Sequence, residues 1–162
     1  MKLPDDIAAL SAETITALKD AGLTIATAES CTGGLIAGAL TSVSGSSDVV
    51  YGGFVTYANE AKIAMIGVPF GMLRQHGAVS EEVAIAMADG ALTAAGTHVA
   101  VAVTGIAGPN GGSEEKPVGL VHFAVATEDG NTHLRKVFPG DRDAVRHATV
   151  AQALKLVLKA IR

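Results

Sequence analysis

The stretch Thr27-Ala28-Glu29-Ser30-Cys31-Thr32-Gly33-Gly34 is the part of the chain best suited to chemistry. An apolar strand leads into Ser30 and a helix of small residues begins two or three residues later, so the backbone reverses at the serine. Amide N–H groups at such a helix start aim at whatever lies beside the hydroxyl, a setting for an anion or a developing oxyanion. Thr32, Gly33 and Gly34 carry these amides, and the two glycines lack the Cβ atoms that would hold a ligand off the backbone. Ser30 is either a nucleophile or a hydroxyl cap on a tightly packed helix. Its flanks differ from the G-x-S-x-G elbow of the α/β-hydrolases.

A serine nucleophile needs a base. The five histidines do not arrange themselves for it. His98 opens a strand, His76 lies in a turn and His147 sits on the last helix. A hairpin centred on Asp129-Gly130 pairs Ala126 with His133 and His122 with Val137, which keeps those two histidines from being cross-strand neighbours. No histidine shows metal-ligand spacing, so no metal site is expected; no cofactor of any other kind is expected either.

The other candidate base is Lys62, in Tyr57-Ala58-Asn59-Glu60-Ala61-Lys62. With Asn59 as a helix cap, Lys62 falls in the first turn, where the helix dipole disfavours a cation. Its neighbours Ala61, Ile63 and Ala64 are apolar, and desolvation lowers a lysine pKa further. Both effects favour the neutral amine that a Ser–Lys dyad requires. The competing picture is a surface lysine offset by Glu60. Tyr57, just before the turn, is placed to relay a proton or to donate to a substrate.

Two more groups have the chemistry of ligand contacts. Thr104-Gly105-Ile106-Ala107-Gly108-Pro109-Asn110-Gly111-Gly112 lacks the ending of a P-loop but follows the most apolar strand, and open α/β sheets bind ligands at that end. Thr104, Gly105 and Gly108 are its candidate contacts; the alternative is a flexible excursion. Arg142 and Arg146 lie four apart on the first turns of the last helix and project from one face. A bound phosphate would compensate two cations at a helix start, and so would Asp141 or Asp143.

These residues must be positioned by a chain of 162 residues, 49% hydrophobic but only 4% aromatic and without tryptophan. Such a chain excludes disorder, and no apolar run approaches the ~18 residues of a membrane span. Its core must be built from Ala, Val, Ile, Leu and Gly, which favours close contact of helices with a sheet. Net charge is −4, but it is uneven: five Lys/Arg face fourteen Asp/Glu up to His133, against seven and two from Leu134 onward. No basic run is interleaved with aromatics, so nucleic acid is not an expected partner. Cys31 is the single cysteine, and Met1 to Asp6 lacks the apolar stretch of a signal peptide; a cytoplasmic location is expected.

Helices are expected over Pro4–Asp20, Gly33–Val43, Asn59–Ile66, a short segment opened by Pro69, Glu81–Ala95 with Ser80 as cap, and from Gly140-Asp141 to Ile161. Strands are expected over Leu23–Ala28, Val49–Tyr57 (broken or bulged at Gly52-Gly53), His98–Val103, Val118–Thr127 and Thr132–Phe138. Alternating helices and strands followed by a hairpin give one α/β domain over residues 1–162, with a mixed sheet between helices.

Taken together the motifs resemble the CinA C-terminal domain family, the nicotinamide-nucleotide amidases. The resemblance spans about Asp5 to Ala160. It rests on Ala28-Glu29-Ser30-Cys31-Thr32-Gly33-Gly34, on Tyr57-Ala58-Asn59 followed by Lys62, and on Gly77-Ala78-Val79-Ser80. Thr104-Gly105-Ile106-Ala107-Gly108-Pro109 leading to Lys116-Pro117-Val118-Gly119, and Gly140-Asp141-Arg142 with Arg146, complete it. It implies an α/β/α sandwich that self-associates as a homo-oligomer. It also implies hydrolysis of the carboxamide of nicotinamide mononucleotide to nicotinate mononucleotide and ammonia, with Ser30 as nucleophile, Lys62 as base and Tyr57 assisting. Two departures stand out: Ala58 occupies a position where relatives often have Ser, and the molybdopterin-binding-like domain that precedes this module in longer relatives is not in the chain. A noncatalytic module that binds a nucleotide for regulation is the rival expectation.

Overall fold

Valine and alanine alternate along Val99-Ala100-Val101-Ala102-Val103, and strand geometry sends the two types to opposite faces. That alternation sets the architecture. In the computed structural model, which describes residues 2–162, β3 (Val99–Gly105) is the central strand of a five-stranded sheet of order β2-β1-β3-β4-β5. Its companions are β1 (Ile25–Glu29), β2 (Val50–Val55), β4 (Leu120–Thr127) and β5 (Gly130–Val137). β1 runs parallel to β2 and β3, whereas β4 and β5 are antiparallel additions. The sheet is mixed, as expected.

The valine face, continued by Val121, Phe123 and Val125, packs on α1 (Asp5–Ala21), α2 (Leu35–Thr41) and α6 (Arg142–Ile161). The alanine face, continued by Ala124 and Ala126, packs on α3 (Asn59–Ile66), α4 (Phe70–His76) and α5 (Glu81–Ala95). Without branched side chains on that face α5 can lie close, bringing Val83, Ala84, Met87, Ala88 and Ala91 onto the sheet. The result is an α/β/α sandwich, and the shortage of aromatics is the composition its thin second layer needs. Expectations for the whole chain began at Met1, which lies outside the described residues. Among the described residues no helix is long and apolar enough to cross a membrane.

Several boundaries differ from the sequence expectation, each for a local reason. α2 begins at Leu35 rather than Gly33, because Gly33 and Gly34 adopt φ of 58° and 102°, outside the right-handed helical region. Asn59 is the first residue of α3 and not its cap; Ala58 holds the cap position without a side-chain bond. β2 is continuous, and its irregularity falls between Val50 and Gly52 rather than at the glycine pair.

The hairpin is shifted as well. Its turn residues are Glu128-Asp129, with Thr127 opposite Gly130. A primed turn centred on Asp129-Gly130 needs positive φ at Asp129, yet no residue other than glycine has positive φ among the described residues. Gly130 therefore takes the position after the turn, at φ 122°. His133 lies opposite Ala124 and His122 opposite Arg135. The two histidines, expected apart, become diagonal neighbours on one face, with His122 Nδ1 2.8 Å from His133 Nε2.

Candidate active site

β1 lies between β2 and β3, and the chain leaves its carboxyl end toward β2 first and β3 later. The ends of three parallel strands thus converge at the point where strand order switches, the place where open α/β sheets form a crevice. Ser30 is the first residue beyond β1. The Ser30 amide donates to the Val103 carbonyl at 3.2 Å and the Thr56 amide donates to the Glu29 carbonyl at 2.9 Å. The serine is pinned from both neighbouring strands, and it retains 8% exposure.

The turn after Ser30 is tight. The Gly33 amide donates back to the Ser30 carbonyl at 3.0 Å, and the Leu35 amide donates to Thr32 at 3.1 Å. Among the described residues, the amides of Cys31, Thr32 and Gly34 donate to no protein acceptor. The amides of α2 itself are not free, contrary to the expectation of an open helix start: Ile36 and Ala37 donate to the Glu29 carboxylate at 2.8 and 3.0 Å. Glu29 also accepts from Thr32 Oγ1 at 2.7 Å and from Thr27 Oγ1 at 3.3 Å, and it is completely buried. Its place was not singled out from sequence, although an acidic residue ending an otherwise apolar strand is the signal that points to it.

Lys62 reaches the same point from the opposite layer. Its side chain is 1% exposed, among the largest fully buried in the protein, which removes the surface-lysine alternative. Nζ stands 3.1 Å from Ser30 Oγ, 2.8 Å from the Thr56 carbonyl and 3.3 Å from the Tyr57 carbonyl. Burial lowers its pKa from the ordinary lysine value. A Cys31 thiolate would oppose this, but burial pushes that thiol up to about 11, so it is protonated at neutral pH. A neutral amine has two N–H donors and one lone pair. Nζ thus has three oxygen partners, the Ser30 hydroxyl and two backbone carbonyls; in the neutral form the two carbonyls would use both donors and leave the lone pair facing Ser30 Oγ.

The remaining candidates divide. Tyr57 supplies its carbonyl to Lys62, while its exposed phenol accepts from Arg142 Nη2 at 3.4 Å. Arg142 Nη1 donates to the Gly108 carbonyl at 2.8 Å, tying α6 to the loop after β3. Arg146 donates through Nε to the Cys31 carbonyl at 3.1 Å and through Nη2 to the Thr32 carbonyl at 3.3 Å. Arg146 thus holds the backbone of the serine turn and Arg142 that of the loop after β3, while Asp141 is spent capping α6 through the Ala144 amide at 2.9 Å. Thr104 is buried and its hydroxyl donates to the Ala78 carbonyl at 2.8 Å, away from the serine turn. Gly105 packs against Leu120 and Val121. The loop beyond it is tied down by pairing of Ile106 with Leu120 and Gly119, both at 2.8 Å.

The chain matches the family model described as the CinA C-terminal domain over residues 7–161. It is 56% identical over 147 residues to the nicotinamide-nucleotide amidohydrolase PncC of Escherichia coli strain K12, covering 90% of this chain and 89% of that protein. A CinA-like protein of Geobacter sulfurreducens is 54% identical over 136 residues, 84% of this chain but 33% of that longer protein. Among solved structures, the competence/damage inducible protein CihA of Agrobacterium tumefaciens superposes with a TM-score of 0.95 at 52% identity, with 99% of each chain covered. A CinA superfamily protein of Klebsiella pneumoniae gives a TM-score of 0.92 at 35% identity, covering 96% of this chain and 97% of that one.

Proposed function

The chain belongs to the CinA C-terminal domain family, and from that premise we propose that it hydrolyses the carboxamide of nicotinamide mononucleotide through a covalent intermediate on Ser30. The observation that carries the mechanism is the 3.1 Å approach of the buried Lys62 amine to Ser30 Oγ. The 56% identity to the amidohydrolase supports the substrate.

Neutral Lys62 takes the Ser30 proton while Oγ bonds to the carboxamide carbon, and the carbonyl electron pair moves onto oxygen. The unoccupied amides of Cys31, Thr32 and Gly34 are the donors for that oxyanion. As the tetrahedral adduct collapses, the Lys62 ammonium returns its proton to the departing nitrogen, which leaves as ammonia. Water then gives a proton to Lys62 and attacks the acyl-enzyme, releasing nicotinate mononucleotide and restoring the Ser30 hydroxyl. Arg142, exposed beside the loop at Gly108, is the cation best placed for the substrate phosphate. A module that only binds a nucleotide has no use for a desolvated lysine against a serine.

Ammonia release from nicotinamide mononucleotide tests this reading. Turnover by the wild type, abolished in both Ser30→Ala and Lys62→Ala, supports it. Nucleotide binding without ammonia release contradicts it and favours the regulatory module.

A further inference from the structure

We propose that Glu29 is a positioning residue: through Thr32 it holds the Thr32 amide in the direction required by the oxyanion. The inference rests on the hydrolase reading above and adds a residue to it.

A carboxylate with no exposure is costly unless its hydrogen bonding is complete. Glu29 forms no ion pair with a lysine or arginine among the described residues. Four donors surround it instead, two on each oxygen: Thr32 Oγ1 and the Ile36 amide on Oε1, Thr27 Oγ1 and the Ala37 amide on Oε2. Ordinary capping does not call for this arrangement. A Ser, Thr or Asp at the residue before α2 would cap it locally, but that residue is Gly34 at φ 102°, with no capping side chain. The backbone path that frees the amides of Cys31, Thr32 and Gly34 thus forbids a local cap. Glu29 supplies one from seven and eight residues upstream.

The bond from Thr32 Oγ1, at 2.7 Å the shortest of the four, gives Glu29 its hold on the turn. On the other side of the Cys31–Thr32 peptide, Arg146 Nε grips the Cys31 carbonyl at 3.1 Å. In a planar trans peptide the carbonyl and the amide point in opposite directions, so the Thr32 N–H is turned away from Arg146. One anchor on the carbonyl and one on the following side chain fix this peptide plane. A donor fixed before the reaction loses nothing to reorganisation when charge develops.

Thr32→Val removes the hydroxyl and keeps the shape, and Thr32→Ser keeps the hydroxyl. Glu29→Gln places an NH2 group against the amide of Ile36 or Ala37, neither of which can accept from it. The readouts are kcat and KM for ammonia release, with thermal melting to show that each variant is folded. Thr32→Val is expected to lose roughly tenfold to a hundredfold in kcat with little change in KM, and Thr32→Ser to recover most of it. Adding Glu29→Gln to Thr32→Val should lower melting temperature but take little further from kcat, because both act through one contact. If Glu29→Gln does not fold, the Thr32 pair carries the test. Wild-type kcat in Thr32→Val, a loss confined to KM, or no recovery in Thr32→Ser overturns the inference while Ser30→Ala still abolishes turnover. No ammonia release by the wild type overturns the hydrolase reading and this inference with it.

Discussion

Acidification should destabilise this fold through His122. The imidazole is buried at 8% exposure, with Nδ1 2.8 Å from His133 Nε2 and Arg135 as its direct cross-strand partner. Burial, then the charges of His133, Arg135 and Lys116, push its pKa down from 6.5 to about 4, with only Glu82 opposing. The unfolded chain therefore binds a proton that the folded chain refuses, and stability is lost as pH falls from the unfolded value toward the folded one. Linkage puts the loss at ~2 kcal/mol between about pH 7.5 and about pH 5. Other groups titrate over the same range, so the measurement is a difference. Denaturant unfolding of the wild type and His122→Gln at both pH values should show the wild type losing ~2 kcal/mol relative to the variant on acidification. A stability gap that is the same at both pH values would mean that His122 does not resist protonation in the fold and that the histidine pair is packing alone.

Three further outcomes follow from the site. Cys31→Ala should keep kcat within about twofold, since a thiol raised to about 11 holds little thiolate at neutral pH; loss of turnover without loss of melting temperature would make the thiol a participant. Arg142→Met should raise KM for nicotinamide mononucleotide roughly tenfold and leave the phosphate-free nucleoside unaffected; equal effects on both substrates would remove the phosphate role. Arg146→Met should instead lower kcat, because it frees the Cys31 and Thr32 carbonyls; a change in KM alone would count against a backbone clamp.

Much of the frame was readable because it depends on patterns that a side-chain string records. The order of helices and strands, the apolar run of β3, the closing hairpin and the small-residue composition led to a mixed sheet between helix layers. The serine turn and the apolar surroundings of Lys62 led to the pair now seen in contact. Contacts to backbone were not readable. Every residue has a carbonyl, so nothing in the sequence told that Arg146 would choose those of Cys31 and Thr32, or that Thr104 would turn to Ala78. Glu29 was hidden for a related reason: its donors lie as far as eight residues away, and its burial follows only from the strand on which it sits. The histidine pair was missed through hairpin register. The turn rule applied to Asp129-Gly130 placed the strands two residues out, and the true register brings His122 and His133 together.

The proposed chemistry requires Lys62 to be an uncharged amine when it meets Ser30. Heteronuclear NMR of protein labelled on lysine side chains, with the Lys62 resonance assigned by its loss in Lys62→Met, reads that charge directly. Lys62 should titrate below the ordinary lysine value, with a midpoint that matches the acid limb of kcat/KM. A Lys62 that remains an ammonium up to the ordinary lysine range, in an enzyme active at neutral pH, would contradict it.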